Sequence, residues 1–162
     1  WVSALWLDDL RKNKMILESA QMLSTAVRML SPSPRQDVYR PTHVSHPACR
    51  WVRESKDNFI WTLDWMTALH KQRGKDHASA KLIPIFDQFV VDGRFPMENL
   101  TPFANCAANQ SVGVSFKHME DTHEAYKHYI CARWEHDKRP PVWWHGQEPD
   151  WRVSYSSVRT AC

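Results

Sequence analysis

Between residues 8 and 30 apolar side chains recur at steps of three and four: Ile16, Ala20, Leu23, Val27 and Leu30. That is the period of an amphipathic α-helix. Asp8 or Asp9 can cap its start, and Ser31-Pro32-Ser33-Pro34 stops it. Pro32 to Pro47 then reads as an irregular connection, extended around Tyr39-Arg40-Pro41 and His46-Pro47. Connections of that length are uncommon in compact domains and often functional. A second helical stretch begins near Ala48, breaks around Lys56 and resumes with Asp57 as cap, running to Arg73 with Gly74 just past its end. Phe59, Ile60, Trp61, Leu63, Trp65 and Met66 leave little of it polar, which predicts a central position. Asp76 is expected to open a third helix through Val91, kinked or divided by Pro84.

Residues 93–118 read as loop-rich, and Asp121 with Glu124 forms a capping-box-like start for a last helix reaching about Lys138. Its apolar side would use Ala125, Tyr129, Ile130 and Trp134. Beyond Arg139, Pro-Pro-Val-Trp-Trp is expected to dock on the body, and residues 153–162 to form a mobile tail. Val112 to Phe116 and Trp151 to Tyr155 alternate like short strands. Together these elements predict a mainly α protein: a compact single-domain helical bundle with long ordered loops.

Composition agrees with a globular domain. The chain has 162 residues, 43% hydrophobic and 24% charged, enough to bury a core and too apolar for disorder. No run approaches the roughly 18 apolar residues of a membrane span. Its four glycines include no GxGxxG or GxxxxGK[ST] string, which disfavours nucleotide folds of those kinds. Cys49, Cys106, Cys131 and Cys162 are widely spaced without a CxxC pair, so a disulfide framework is not expected. Trp1 to Leu10 lacks the basic leader and apolar stretch of a signal peptide, and the expectation is a cytoplasmic protein. A start at Trp1 rather than Met points to a missing or processed natural N-terminus. The net charge of +3 is too mild to identify a partner, so the distribution of charge matters more.

Opposite its apolar side the first helix carries Arg11, Lys14, Glu18, Gln21, Thr25 and Arg28, again at steps of three and four. A solvated face with ordinary ion pairs explains this pattern as well as a phosphate-binding stripe around one carboxylate does. On the functional reading Glu18 is kept ionised by its cationic neighbours and suits a base or a cation stabiliser better than a proton donor. His43, His46 and Cys49 have a spacing of three that could suit a metal. Pro47 interrupts the turn, however, and His118 or His123 are only distant fourth ligands, so loop anchoring or ligand contact by His43 and His46 is the expectation. No metal and no cofactor are expected. Arg50 and Arg53 flank Trp51, while Gly74-Lys75-Asp76-His77 follows the central helix, placing cations where phosphate contacts or structural pairs are equally plausible.

Several strings resemble a small phage-borne family: Leu7-Asp-Asp-Leu-Arg-Lys-Asn-Lys-Met-Ile-Leu-Glu-Ser-Ala-Gln-Met-Leu, Arg40-Pro-Thr-His-Val-Ser-His-Pro, Trp51-Val-Arg-Glu-Ser, Gly74-Lys-Asp-His, Thr101-Pro-Phe, Ala125-Tyr-Lys-His-Tyr and Pro-Pro-Val-Trp-Trp. More remotely, Leu7 to Val27 resembles the first long helix of phage pyrimidine-dimer DNA glycosylases of the endonuclease V type, with Glu18 where that family has its catalytic Glu. His46-Pro-Ala-Cys-Arg-Trp-Val and the helix ending Lys71-Gln-Arg-Gly74 resemble its second helix and exit. That family attacks with an N-terminal amine, which a chain starting at Trp1 does not display. The resemblance implies a phage-type enzyme acting on pyrimidines in DNA, by glycosylase-like excision or by base modification. It places catalytic roles on Glu18, His43 and His46. Nucleic-acid contacts then fall to Arg11, Lys14, Gln21, Arg28, Arg50, Arg53, Lys75 and His77. The modification alternative is an amino acid:DNA transferase working on an activated hydroxymethyluracil with an amino-acid or amine donor. A third reading is a nucleic-acid-binding or virion protein without catalysis. DNA is the expected partner in the enzymatic readings, and no membrane is involved.

Overall fold

Asp8 starts the principal helix by accepting the backbone N–H of Arg11 at 3.2 Å, and the chain continues helically over Asp9–Leu30 (α2). The computed structural model describes residues 2–156; the side chains of Val2, Val153 and Ser156 lie outside that description. A short helix α1 (Val2–Trp6) precedes α2, and α3 (Pro47–Glu54), α4 (Lys56–Arg73), α5 (Ile83–Asp92), α6 (Thr122–His136) and α7 (Arg152–Ser156) follow. Strands β1 (Ala108–Asn109) and β2 (Val114–Ser115) pair antiparallel as a small hairpin. The chain is mainly α, as its periodicity predicts.

Several local expectations are corrected. The break between α3 and α4 falls at Ser55, and Ser55 rather than Asp57 caps α4, accepting Asn58 N–H at 3.1 Å. Ser55 is extended because it bridges to Met97, whose carbonyl accepts Lys56 N–H at 2.9 Å. The helix expected from Asp76 is a 3₁₀ turn, Ala78–Leu82, capped by His77 through Ser79 N–H at 3.1 Å. Pro84 then stands in the first turn of α5, where its missing N–H costs nothing. The alternation over Trp151–Tyr155 belongs to α7 and the turn residue before it, and the Trp151 and Tyr155 rings meet edge to face at 5.7 Å. Of the expected tail, residues 153–156 belong to α7, and residues 157–162 lie outside the described residues. The strand expected over Val112–Phe116 shrinks to β2, and α1 had no counterpart in the predicted elements.

The core forms where α2 lies against α4. Ile16, Ala20, Leu23 and Val27 join Phe59, Leu63, Met66 and Leu69, with Phe86 and Phe89 of α5 closing one cluster. Ser19, Ala20, Ser24 and Ala26 are fully buried, and side chains this small let the helices approach closely. Each fully buried Leu, Ile or Phe contributes about 1.5–3 kcal/mol. α6 caps as expected, Asp121 accepting the N–H groups of His123 and Glu124. It buries Ala125, Cys131, Ala132 and Trp134, leaving Tyr129 and Ile130 half-buried.

Both long loops are tied to helices by side chains. Asn58, buried at the start of α4, donates to Trp51 O and Thr101 Oγ1 at 2.8 Å each, and accepts Thr101 N–H at 3.0 Å. At the other end of the chain a strap, residues 137–147, crosses the start of α2. Val142 O accepts Asp9 N–H at 2.9 Å, Trp143 Nε1 donates to Trp6 O at 2.8 Å, and Gln147 N donates to Leu5 O at 3.1 Å. Beneath it Asp8, itself buried, accepts from the Arg11 guanidinium at 2.9 Å and the Trp134 indole at 2.7 Å. Lys12 is also buried, with its ammonium 3.4 Å from Asp9. A Cβ on Gly146 would lie 2.6 Å from Leu5 O and closer still to Lys12 Nζ, so the strap needs glycine there.

Two stability predictions follow from this junction. Asp8→Ala removes the cap of α2 and strands the Trp134 N–H, while Arg11 keeps Asp137, and is expected to cost about 2–4 kcal/mol in urea denaturation. Asp8→Asn should cost less, and a loss under about 1 kcal/mol for the alanine variant would contradict the role given to Asp8. Gly146→Ala overpacks the strap and should cost about 1–3 kcal/mol in the same measurement.

Candidate functional site

The face of α2 turned away from the core is closed at both ends and open in the middle. At the N-terminal end Arg11 is only 12% exposed, its guanidinium shared between Asp8 at 2.9 Å and Asp137 at 2.7 Å. Toward the C-terminal end Thr25 is fully buried: its hydroxyl donates to Gln21 O at 2.8 Å and accepts Thr42 N–H at 3.2 Å. Arg28, half-buried, donates to Val38 O at 3.1 Å. The two outermost arginines of the predicted stripe therefore clamp the chain to itself. Lys14 and Glu18 stay open to solvent between them, 69% and 41% exposed and paired at 3.2 Å, with Gln21 half-buried beside them. An exposed pair of this kind is worth only about 0.3–0.5 kcal/mol, so Glu18 contributes little to folding.

Two other segments dock on α2: the loop at Thr42 on the polar face at Thr25, and the turn after α4 at Asn13, about 140° round the helix from Glu18 at 100° per residue. The turn after α4 begins at Gly74, whose φ of 68° is the left-handed conformation that favours glycine. Lys75 is exposed on that turn, and His77 reaches the backbone of Asn13 on α2. Burial, with Arg73 and His70 nearby, holds the His77 imidazole below its ordinary pKa, although the Asn13 backbone opposes the shift. From the other side Thr42 docks on Thr25 and brings exposed His43, at φ 48°, next to it. Tyr39 OH and Ser79 Oγ, 3.0 Å apart, link the two segments to each other. At 1.5 Å per residue, Glu18 lies about 7–8 Å along the axis from Asn13 and about 10 Å from Thr25.

His46 has a different task. Its Nδ1 accepts Ala48 N–H at 3.3 Å and caps α3, while Cys49 Sγ donates to Thr42 O at 3.6 Å. His46 is thus the cap of α3. Among the described residues, no three His, Cys, Asp or Glu side chains are placed to hold a metal ion. Burial raises the Cys49 thiol pKa against the opposing Thr25 hydroxyl and Arg53 charge, which keeps it protonated and poorly nucleophilic at neutral pH.

Arg50 and Arg53 lie elsewhere, on an open groove of about 520 Å³ with Glu54, over Leu30, Pro47 and Pro96. Arg53 is held by Cys49 O at 3.0 Å, whereas Arg50 is exposed and makes no ion pair among the described residues. Leu30 is about 18 Å along α2 from Glu18, so groove and window are separate surfaces. The links from Thr25 to Thr42 and from Tyr39 to Ser79 have no sequence signal, since each joins residues remote in the chain by one or two hydrogen bonds.

His77 supplies a test of this geometry. Its imidazole is expected to titrate below 6.5 in an NMR pH series. The sign follows: the folded state favours the neutral ring, so the Ser79 cap contributes stability above pH 6.5 and loses it as pH falls through the lowered pKa. A midpoint at or above 6.5 would show that the ring is not buried against α2 as described.

No protein-family model, curated protein or solved structure matches this chain.

Proposed function

We propose that this chain is a phage-type protein directed at pyrimidine bases in DNA, with Glu18 as its working carboxylate. The observation that carries the reading is the open window on α2. Glu18 stands where the polar face is uncovered, paired with Lys14 at 3.2 Å, and the loop carrying His43 docks on Thr25 of the same face. An ionised carboxylate there can take a proton from an attacking group or stabilise positive charge developing on a deoxyribose. Lys14, Gln21 and Lys75 are then the phosphate and base contacts, with Arg50 in the separate groove extending the electrostatic footprint.

Excision and transfer differ in what attacks and what is cleaved. Excision breaks the bond between base and sugar. Transfer instead forms a bond between the amine nitrogen and the hydroxymethyl carbon as the activating group departs with its oxygen, and leaves the sugar untouched. Mass spectrometry of nucleosides from DNA of cells making the protein separates them: a new modified pyrimidine selects transfer, and unchanged nucleosides with fresh nicks in irradiated DNA select excision.

A second reading, nucleic-acid binding without catalysis, is favoured by one observation: Glu18 is exposed on a helix face instead of facing the sizeable groove that bears Arg50 and Arg53. Glu18→Gln discriminates. On the catalytic reading the variant folds and binds DNA normally while turnover falls by at least roughly 100-fold. Full turnover in this variant would remove Glu18 from the chemistry. For binding, Arg50→Ala is the cleaner probe than Arg28→Ala, because Arg28 also holds Val38. It should lower the slope of log affinity against log salt by about one, and an affinity indifferent to salt would dismiss phosphate contacts altogether.

A further inference from the structure

Trp61, Asp64, Trp65 and Ala68 follow one another on α4 at steps of one, three and four, so they share one side of that helix. Together with Ser3 of α1 they line a pocket of about 150 Å³ where the two helices meet. The Trp61 and Trp65 rings lie nearly parallel, 14° apart, with centroids separated by 5.9 Å. Both are held from behind. Trp61 meets Trp51 edge to face at 5.7 Å and Phe103 at 5.4 Å, and Trp65 packs on the core. Ala68 is buried beside them, and Asp64 is exposed, with no hydrogen bond or ion pair among the described residues.

Charge, surface and size together select the ligand. The lining holds one carboxylate and no lysine or arginine, which disfavours phosphates and carboxylates. On α4 the next cation along this side is Lys71, about 10 Å along the axis from Asp64. Two indoles beside an unpaired carboxylate suit a cation with an apolar skin, because an ammonium over the negative face of an aromatic ring gains about 0.5–1 kcal/mol at an exposed site and more when desolvated. A bare metal ion is a poor match: Asp64 is the one carboxylate in the lining, and hard cations take six or so oxygen ligands. The volume lies below the roughly 300–1,000 Å³ of pockets that enclose a drug-sized molecule, so a headgroup fits and a nucleoside does not. Glu18 lies on the face of α2 turned away from the α2–α4 core, which makes this pocket a different surface, and its occupancy does not depend on the DNA-directed reading.

We propose that this pocket binds a small alkylammonium ion, with its carbon groups against Trp61 and Trp65 and its charge beside Asp64. The test follows the indole N–H signals of Trp61 and Trp65 by NMR in the full chain as choline, ethanolammonium or the uncharged carbon isostere of choline is added. At least one of the two ions is expected to shift both signals, with the uncharged isostere binding about 5-fold more weakly than choline or worse. Asp64→Asn removes the charge of an exposed, unpaired side chain, so it should leave the melting curve unchanged and weaken ammonium binding on the order of 5-fold. Trp65→Leu keeps an apolar wall without a π-face and should weaken it similarly. If neither ion moves either indole, or if the isostere binds as tightly as choline, the proposal is overturned while the DNA-directed reading stands. Unchanged ammonium binding by Asp64→Asn overturns it equally. A peptide bearing trimethyllysine separates the sources of the same chemistry: binding tighter than choline identifies a protein side chain as the ammonium, and weaker binding identifies a free ion.

Discussion

The buried carboxylate of Asp8 is the interaction on which the rest of this structure depends. It is the N-cap of α2, the partner of Arg11 and the acceptor of the Trp134 indole, so a single side chain starts one helix, neutralises a cation and docks another helix. α6 packs on α7 and β2, and this contact ties it to α2, while Tyr126 ties it to Phe103 at the edge of the core. Trp134 meets Trp143 edge to face at 5.2 Å and stacks on Trp151 at 6.1 Å, with the Arg152 guanidinium 5.3 Å from Trp143. A buried carboxylate is tolerated only where its lone pairs are satisfied. Arg11 and Trp134 satisfy them here, and Arg11 in turn takes Asp137 as a second partner.

That arrangement decides how α2 is used. One side of the helix is core, and the opposite side is divided among three tasks. Its start holds the strap and α6, its end holds the loop from Val38 to Thr42, and its middle is left to solvent with Lys14 and Glu18. A continuous basic stripe therefore does not exist on the folded protein, although the helical period places its members in line. Arg11 and Arg28 became structural because each found acceptors, Asp8 and Asp137 or the Val38 carbonyl, that a helix alone does not offer. Lys14 and Glu18 kept their solvent because no described residue covers them fully, their side chains being 69% and 41% exposed.

The same reasoning separates the aromatic residues. Phe59, Phe86 and Phe89 fill the core, and Trp51 is buried with its indole N–H on Thr101 O at 3.2 Å. The paired tryptophans of the strap divide: Trp143 finds Trp6 O and the Trp134 ring, while Trp144 turns outward on a backbone held by Asp9. The chain turns at Trp144, just after the docked Trp143.

By itself the sequence determined the helices with a strong period and good punctuation. The span of α2, the end of α4 at Gly74 and the Asp121 cap of α6 follow from local chemistry, as does the irregular course of residues 32–47. Local interactions are encoded by neighbours in the chain, which is why they can be read there. Which polar residues remained available was decided by the tertiary structure. Asp8 and Trp134 are 126 residues apart, Thr25 and Thr42 17, and Tyr39 and Ser79 40. The helical period put Arg11, Glu18 and Thr25 on one face alike; only the packing of distant segments buried the first and last and left Glu18 exposed, because burial depends on what lies across space from a side chain.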